Sequence, residues 1–501
     1  MEERTLTSEK FQFAKPRKQV EEKAVTKSKG YFSQTFSRFG KSKSTLVGGI
    51  IVLLLLLYAL LTPVLFGNAY TKSGADTAYL WYAKIPPRSS LLSPLGGDGI
   101  SKRTENENSY LSLVAIGEET GLSPVRGKAR AFQENGSTYY RFRYDAYYGL
   151  GLTYAILSET EYLDLQRWQT KTGVQVIFPA VDYENYAFDF QKNDANLWYE
   201  ITPRGAPVRD TEGNFRPVYL RHGQDGGVAY TSLRIKGDDG SYRYARITGD
   251  SSNVSYRVRV SKYNYFRYRY GFKPRFAFGT DDMGRDIFTR LALGARFSFA
   301  LSLGVSLLNF LIGVVYGAIA GYYGGRTDLL MGRVSDIING IPFTVVAVLF
   351  QLHLAKKLGA VVALLFAFVL TGWIGLASTT RMQFYRYKNR EYVLAARTMG
   401  ASDFRIVTRH IFPNAIGTII TSFVLAVPSV IFGESSLSYL GIVNLEGNKL
   451  ASVGTMLASG KNFLSTNPHI LLFPALFISL MMIAFNLLGN GLRDSFNEKT
   501  R

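Results

Sequence analysis

Long uncharged apolar runs alternate with polar segments along the chain. Each run holds about twenty residues, the length that an α-helix needs to cross a hydrocarbon core about 30 Å thick. The six runs are residues 46–66, 297–320, 337–355, 358–380, 415–433 and 470–492. This pattern predicts an all-α polytopic membrane protein with six transmembrane helices, of which the third and fourth form a tight hairpin around Lys356 and Lys357.

The polar segment between the first two runs, residues 67–275, has a different pattern. Turns rich in Gly, Asp and Asn separate short stretches in which aromatic residues and arginines alternate, as at 138–144 and 254–270. A period of two residues is typical of a half-exposed strand. Residues 158–170 begin with a Ser-x-x-Glu capping pattern and predict one helix. We therefore expect a large β-rich insert between the first and second membrane helices.

The distribution of lysine and arginine predicts the side of the membrane that each segment faces. Segments on the side of the N-terminal tail hold 23 of these residues, and the short loops on the other side hold four. Because cytoplasmic loops are enriched in Lys and Arg, both termini are expected in the cytoplasm. The predicted organisation is a basic cytoplasmic tail at 1–45, an uncleaved helix at 46–66, an extracytoplasmic insert at 67–275 and a membrane core at 276–501 with a cytoplasmic loop at 381–414.

The composition narrows the classes of partner and cofactor. The chain has 501 residues, 47% hydrophobic and 19% charged, with no cysteine and four histidines. A disulfide framework and a thiolate metal site are therefore excluded, and no metal site is expected. The formal net charge is +20, which also fits a nucleic-acid binder. Membrane proteins accumulate cations in their cytoplasmic segments, and the distribution of Lys and Arg follows this pattern, so no nucleic-acid partner is expected.

The chain offers no energy source of its own. The six runs contain no Asp, Glu, Lys or Arg, whereas ion-coupled transporters and proton pumps carry ionisable residues at membrane depth. Residues 454–462 look like a phosphate loop, but five residues rather than four separate Gly454 from Gly460, and Asn462 replaces the Ser or Thr that would hold magnesium. No ATP site is expected in this chain.

The 381–414 loop predicts two short helices joined by a hinge. Good helix formers begin at Glu391, and Gly400 can supply the left-handed residue after the first helix. Ser402 can cap the second helix, and Pro413 is expected to help end it.

Two faces of this loop are expected to have different partners. Ala395 and Ala396 leave a surface almost free of side chains, which suits a groove on another protein. Phe404, Val407 and Ile411 follow one another at spacings of three and four residues and predict an apolar stripe toward the membrane helices. Composition alone also fits an ordinary amphipathic loop.

The loop resembles the EAA loop of ABC-importer permeases. The matching residues are Ala395, Ala396, Gly400, Ile411 and Pro413. Leu394 stands where the glutamate that names the motif is found. Four further stretches resemble, in the same order, the C-type subunit of dipeptide and oligopeptide permeases: residues 278–286, 321–325, 434–441 and 486–494. The resemblance includes the first helix and the chain after about residue 278, and it leaves out the insert.

This resemblance implies a permease subunit of a bacterial ATP-driven peptide importer in the inner membrane. It implies as partners a homologous B-type permease, two cytoplasmic ATP-binding subunits that hold ATP and magnesium, and an extracytoplasmic substrate-binding protein. The chain itself is expected to bind no cofactor and to catalyse no reaction. Coupling to the ATPase subunits is assigned to Glu391, Leu394, Ala395, Ala396, Gly400, Ala401, Asp403, Ile411 and Pro413.

Two smaller patterns are found near the second run, one before it and one within it. Thr280, Asp281 and Asp282 predict the cap of an interfacial helix that runs to Ala295. The alternative is a gating role for Asp281, Asp282, Gly284, Arg285 and Asp286. Within the run, a glycine recurs at every fourth position, which predicts a face that another helix can approach closely. These glycines are Gly313, Gly317 and Gly321.

Other functions remain open. Within the same class, the cargo can be nickel or another small solute. A secondary transporter or channel would need no ATPase partner, and a membrane-anchored sensor would bind a ligand on the insert without net uptake.

Overall fold

The structure is a computed structural model, and it describes residues 39–40, 42–70, 80–90, 92–180, 195, 199–200, 208, 211–212, 230–231, 239–248, 254–443, 445 and 451–496. Almost all of the predicted basic tail and a large part of the insert between 181 and 253 lie outside the described residues.

One long helix precedes a segment of mixed strands and helices. The helix is α1 (Lys43–Tyr70), and its apolar part ends near Phe66. The described elements of the insert are β1 (Ile100–Asn106), α2 (Glu107–Thr120), β2 (Val125–Glu134), β3 (Ser137–Asp145), β4 (Leu152–Ser158), α3 (Glu159–Thr172), β5 (Ile177–Phe178), β6 (Tyr199–Glu200), β7 (Tyr230–Thr231), β8 (Ala245–Thr248), β9 (Ser255–Ser261) and α4 (Lys262–Tyr270).

The insert contains two larger antiparallel sheets, each covered by helices. One has the order β1-β3-β2, and the other has the order β4-β9-β5 with β8 also paired to β9; β6 and β7 form a separate pair. Leu113 and Ile116 of α2 pack on Phe142 of the first sheet. The buried Arg259 of β9 joins the two parts, because its guanidinium donates to both carboxylate oxygens of Glu119 in α2, at 2.5 and 2.9 Å.

Two local predictions in the insert have different outcomes. The capping box at Ser158 is confirmed, and α3 begins at the next residue. The predicted strand 254–270 is wrong in its second half, where α4 replaces it. The physical reason is that the Ser261 side chain accepts the N–H of Asn264 as an N-cap, and Gly271 ends the helix with a φ of +77°.

A bundle of long helices follows the insert. Its elements are α5 (Ile287–Tyr323), α6 (Gly325–Asn339), α7 (Phe343–His353), α8 (Ala355–Leu358), α9 (Ala360–Tyr387), α10 (Glu391–Thr398), α11 (Asp403–Ile406), a π-helical turn (Val407–Ile411), α12 (Phe412–Tyr439), α13 (Val453–Gly460) and α14 (His469–Phe496). Among the described residues, five helices are long and apolar enough to cross a membrane, and there are six if one bent pair counts as a span. The chain is therefore a helical polytopic membrane protein.

The bent pair corrects the prediction of one straight helix at 337–355. α6 and α7 meet at an angle of 70° across a break between Asn339 and Phe343. Pro342 in this break has no N–H to donate to the preceding turn, so a continuous helix would lose a hydrogen bond there. Beyond the break the predicted hairpin is present, because the ring centroids of Phe343 in α7 and Phe368 in α9 are 4.9 Å apart.

The membrane helices also extend beyond the uncharged runs. As a result, α5 contains Arg290, α9 contains Arg381 and α12 contains Glu434. The expectation that the spans lack ionisable residues holds for the apolar runs and is wrong for the complete helices.

Candidate functional site

The 381–414 loop has the geometry of a helix, a hinge and a second helix. α10 ends at Thr398, Gly400 has a φ of +81°, and the Ser402 side chain accepts the N–H of Arg405 at 3.4 Å. Glycine adopts this left-handed conformation without a Cβ clash. The loop lies at the opposite end of the bundle from the insert, because α5 begins beside the insert and Tyr322 at its other end contacts the loop.

The inner face of the loop packs on the membrane helices. Val393, Ile406 and Ile411 are buried in one cluster with Phe384 of α9. Ala396 is buried as well, with 3% of its surface exposed. The expectation that Ala396 lies on a free docking surface is therefore wrong, because this chain already covers it.

The outer face of the loop exposes four large apolar side chains, which the described part of the chain leaves uncovered. We define it by Tyr392, Leu394, Met399 and Phe404, of which Met399 is 81% and Phe404 is 78% exposed. The prediction that Phe404 faces the bundle is wrong. Ile406 occupies the inward position instead, and residues two apart on a helix point to nearly opposite sides.

The remaining predicted coupling residues differ in exposure. Glu391, Ala395 and Asp403 are exposed, and Ala401 is partly buried. The structure thus brings Leu394, Ala395 and Glu391 to the surface and leaves Ile411 and Ala396 inside.

A polar contact joins the loop to α5. The Tyr322 hydroxyl donates to Oδ1 of Asp403 at 2.5 Å, and Nη2 of Arg397 donates to the Tyr322 oxygen at 3.4 Å. Tyr322 therefore forms a hydrogen bond with one residue of each of the two short helices. It was absent from the predicted site, although its position in the 321–325 stretch was a usable signal.

Pro413 does not end the helix that Ser402 begins. The helical path continues from Asp403 to Tyr439 through the π-helical turn, and Pro413 lies in the first turn of α12. The π-helical turn lies directly before this proline, where the missing N–H interrupts the ladder of helix hydrogen bonds.

Four of the predicted gating residues form one tight turn at the insert end of the bundle. Oδ1 of Asp281 accepts the N–H of Arg285 at 2.9 Å, and Oδ2 accepts Nε of Arg285 at 2.7 Å. Arg290 of α5 also forms an ion pair with Asp281. Gly284 takes a φ of +75° within this turn. Asp282 is at the edge of the network, with its Oδ1 3.9 Å from Arg285 Nη2.

Asp286 is the residue that caps the following helix, so the assignment of the cap to Thr280, Asp281 and Asp282 is wrong. Oδ2 of Asp286 accepts the N–H of Thr289 at 2.9 Å. The helix is also longer than predicted and runs to Tyr323 instead of Ala295. Burial raises the pKa of Asp286 to about 6, and the hydrogen bonds from Thr289 oppose this rise.

Comparisons with known proteins identify the chain. The family described as binding-protein-dependent transport system inner membrane component matches residues 313–501. The dipeptide transport system permease protein DppC of Bacillus subtilis is 44% identical over 225 residues, which are 45% of this chain and 69% of DppC. The chain belongs to this permease family. The oligopeptide permease OppC of Escherichia coli K12 is 37% identical over 225 residues, which cover 45% of this chain and 72% of OppC.

The predicted family is thereby confirmed: the chain is an ABC-importer permease and not an enzyme. The matched residues 313–501 include the 381–414 loop and exclude the insert. Among solved structures, the inward-facing MetNI methionine ABC transporter has a TM-score of 0.33 and 14% identity, covering 42% of this chain and 96% of that one.

The permease has a buried carboxylate where three helices meet near the insert end. Glu434 of α12 has no exposed surface. Its oxygens accept hydrogen bonds from Ser452 at 2.7 Å, Ser438 at 3.1 Å and Ser298 at 3.3 Å. These serines come from the cap of α13, from α12 and from α5. The signal for this site was a glutamate directly after an apolar run and followed by serines, and the predicted site residues did not include it.

The three glycines of the permease's α5 lie against α9. A Cβ on Gly313 would lie 2.8 Å from the backbone oxygen of Trp373, and one on Gly321 would lie 2.8 Å from the oxygen of Arg381. A Cβ on Gly317 would likewise come too close to the backbone of Ala377. At these positions two helices approach each other more closely than any larger residue permits.

Proposed function

We propose that this permease forms half of the translocation path of a bacterial ATP-driven peptide importer. Peptide cargo is supported by the relatives, which are dipeptide and oligopeptide transport permeases at 37–44% identity. Nickel or another small solute is the alternative cargo within this class.

The proposed arrangement in the membrane follows the cation distribution. Six spans, with α6 and α7 as one bent span, cross the bacterial inner membrane with both termini in the cytoplasm. The segments are a tail at 1–45, a first span at 46–66, a β-rich extracytoplasmic insert at 67–275 and a permease core at 276–501. The 381–414 loop then faces the cytoplasm.

The proposed partners are a B-type permease, two ATP-binding subunits with ATP and magnesium, and an extracytoplasmic substrate-binding protein. The observation that carries the coupling proposal is the division of the loop into two faces. Its inner face is fixed to the bundle by buried apolar residues, and its outer face leaves Met399 and Phe404 exposed. Large apolar side chains exposed together on a surface are typical of a protein interface.

Movement of the ATPase subunits would reach the opposite side of the membrane through rigid contacts. Tyr322 joins the loop to α5, which has 37 residues and is therefore about 55 Å long at 1.5 Å per residue. The other end of α5 carries Arg290 in the Asp281 turn. A displacement of the loop would thus act on the insert end of the same helix.

The docking proposal is tested by placing a charge on the outer face. Met399→Asp and Phe404→Asp should each prevent stable co-purification of the ATP-binding subunits, because a carboxylate would have to be desolvated in an apolar interface. Ile156→Asp is the matched control, since Ile156 is a 72% exposed apolar residue of the insert.

Membrane levels of each variant and the amount of ATP-binding subunit bound per permease are measured together. Retention of the ATP-binding subunits by both loop variants at wild-type levels would exclude this face as the docking surface. Uptake of nickel, with no uptake across a peptide panel, would reject the peptide proposal and leave the docking surface intact.

A further inference from the structure

A cavity of about 880 Å³ lies between the insert and the first turns of α14. The insert contributes residues 83–87, 92, 96–97, 101–103, 144, 146 and 150, and the membrane side contributes residues 466–469, 472–473 and 476. The coupling proposal makes no use of this cavity, and neither the 381–414 loop nor the Glu434 site lines it.

The membrane wall of the cavity is apolar. It contains Leu472, Phe473 and Leu476 of α14. Leu472 and Leu476 remain 50% and 54% exposed, although α14 is one of the helices apolar enough to cross a membrane. Exposed apolar side chains of a transmembrane helix contact either lipid tails or another membrane helix. The cavity is therefore continuous with the exposed apolar surface of α14.

The insert wall is cationic. It contains Lys84, Lys102 and Arg103, and the described lining residues include no Asp or Glu. The guanidinium of Arg103 lies 4.3 Å from the ring centroid of Tyr144, which also lines the cavity. Nε of Arg103 also forms an ion pair at 3.1 Å with Glu105, which is not one of the lining residues. The lining as a whole has an excess of positive charge.

Lys84 is held at the cavity in an unusual backbone conformation. Its φ is +60°, in the left-handed region that residues with a Cβ rarely adopt. Its N–H donates to the backbone oxygen of Asp281 at 2.8 Å, and its carbonyl accepts Nδ2 of Asn467 at 3.2 Å. Its Nζ lies 4.2 Å from the Phe463 ring centroid. Surrounding contacts thus hold this lysine in a costly conformation, which is a feature of binding sites.

We propose that this cavity binds an anionic phospholipid of the leaflet on the insert side. The phosphate would lie near Lys84 and Arg103, where cations attract it and no described lining carboxylate repels it. An acyl chain would pass along Leu472 and Leu476 into the bilayer. A soluble anion would satisfy the cations but leave the apolar wall uncovered, so the two walls together favour a lipid.

The test compares lipid retention by the full-length chain purified in detergent. The chain is delipidated, mixed with phosphatidylglycerol and phosphatidylcholine of identical acyl chains, and examined by native mass spectrometry. Wild type should retain phosphatidylglycerol several-fold over phosphatidylcholine. The double variant Lys84→Gln, Arg103→Gln should lose this preference, and the conservative pair Lys84→Arg, Arg103→Lys should keep it.

A matched double variant controls for net charge. Arg141→Gln with Lys171→Gln removes two exposed cations of the insert that are outside the cavity, and it should retain the wild-type preference. If the Lys84 and Arg103 double variant does not fold, Leu476→Glu gives a second test. This substitution leaves the cations intact and should lower phosphatidylglycerol retention by placing a charge on the acyl wall.

Three results would overturn the proposal. They are an absence of preference in wild type, an unchanged preference in the charge-removing and Leu476→Glu variants, and displacement of phosphatidylglycerol by inorganic phosphate or a triglutamate peptide. Displacement by the peptide would assign the cavity to soluble cargo instead. None of these results bears on docking of the ATP-binding subunits at the 381–414 loop.

Discussion

At the scale of single residues, two neighbouring buried carboxylates differ in how their charge is satisfied. Asp281 accepts hydrogen bonds from the side chains of both Arg285 and Arg290. Asp286 has one oxygen bonded to Thr289, while its buried Oδ1 has no hydrogen-bond partner among the described residues. Because a buried charge without a partner is unfavourable, burial raises the pKa of Asp286 to about 6 from its ordinary value of 3.8.

This raised pKa predicts a pH-dependent stability with a definite sign. The folded protein binds the Asp286 proton more tightly than the unfolded chain does, so folding stability should fall as the pH rises from about 4 through about 6. The free energy of unfolding falls by at most about 3 kcal/mol, since one unit of pKa difference corresponds to about 1.36 kcal/mol. Asp286→Asn keeps a capping side chain without a titratable group.

Thermal unfolding of the purified protein in detergent measures this effect. The midpoint of Asp286→Asn should rise relative to wild type between about pH 4 and about pH 7. A constant difference between the two midpoints over this range would show that Asp286 does not titrate there.

At the scale of elements, the contact of α5 with α9 depends on the absence of side chains. Gly313→Val should destabilise the bundle by about 1–3 kcal/mol, because the added Cβ meets the Trp373 carbonyl and the backbone must move. Gly304→Val is a control on the same helix, since a Cβ at Gly304 meets no atom within 4 Å. Both variants are compared by thermal unfolding in detergent. Equal midpoints for the two would contradict the close approach at Gly313.

Hydropathy predicted most membrane elements, because a span of the bilayer requires about twenty apolar residues. It could not predict where helices continue past the apolar region, so α5 begins at Ile287 instead of residue 297. The break before Phe343 was predictable in principle from Gly340 and Pro342, because both residues interrupt helices and lie inside the apolar run.

The faces of the short helices were harder to predict than their bounds. Gly400 and Ser402 specify a local hinge, and the structure has it. The inward position of Ile406 depends on packing against Tyr322 of α5 and Phe384 of α9, which no local spacing encodes. The Glu434 site likewise joins serines 136 and 18 residues away in sequence.

At the scale of the whole molecule, the permease has two differently built ends connected by α5. The loop end has the exposed outer face, and Tyr322 links it to α5. The insert end has the Asp281 turn, the Glu434 site and the contacts of the insert with the bundle. The central claim is that separate ATP-binding subunits act on the first end and thereby change access at the second.

Uptake of labelled peptide into proteoliposomes tests this claim most directly. Vesicles contain either this chain alone or the chain with its B-type permease and ATP-binding subunits, with the binding protein supplied on the insert side. We expect uptake only in the complete assembly with ATP, and its loss in Phe404→Asp. Peptide uptake by the chain alone, without any ATP-hydrolysing subunit, would contradict it.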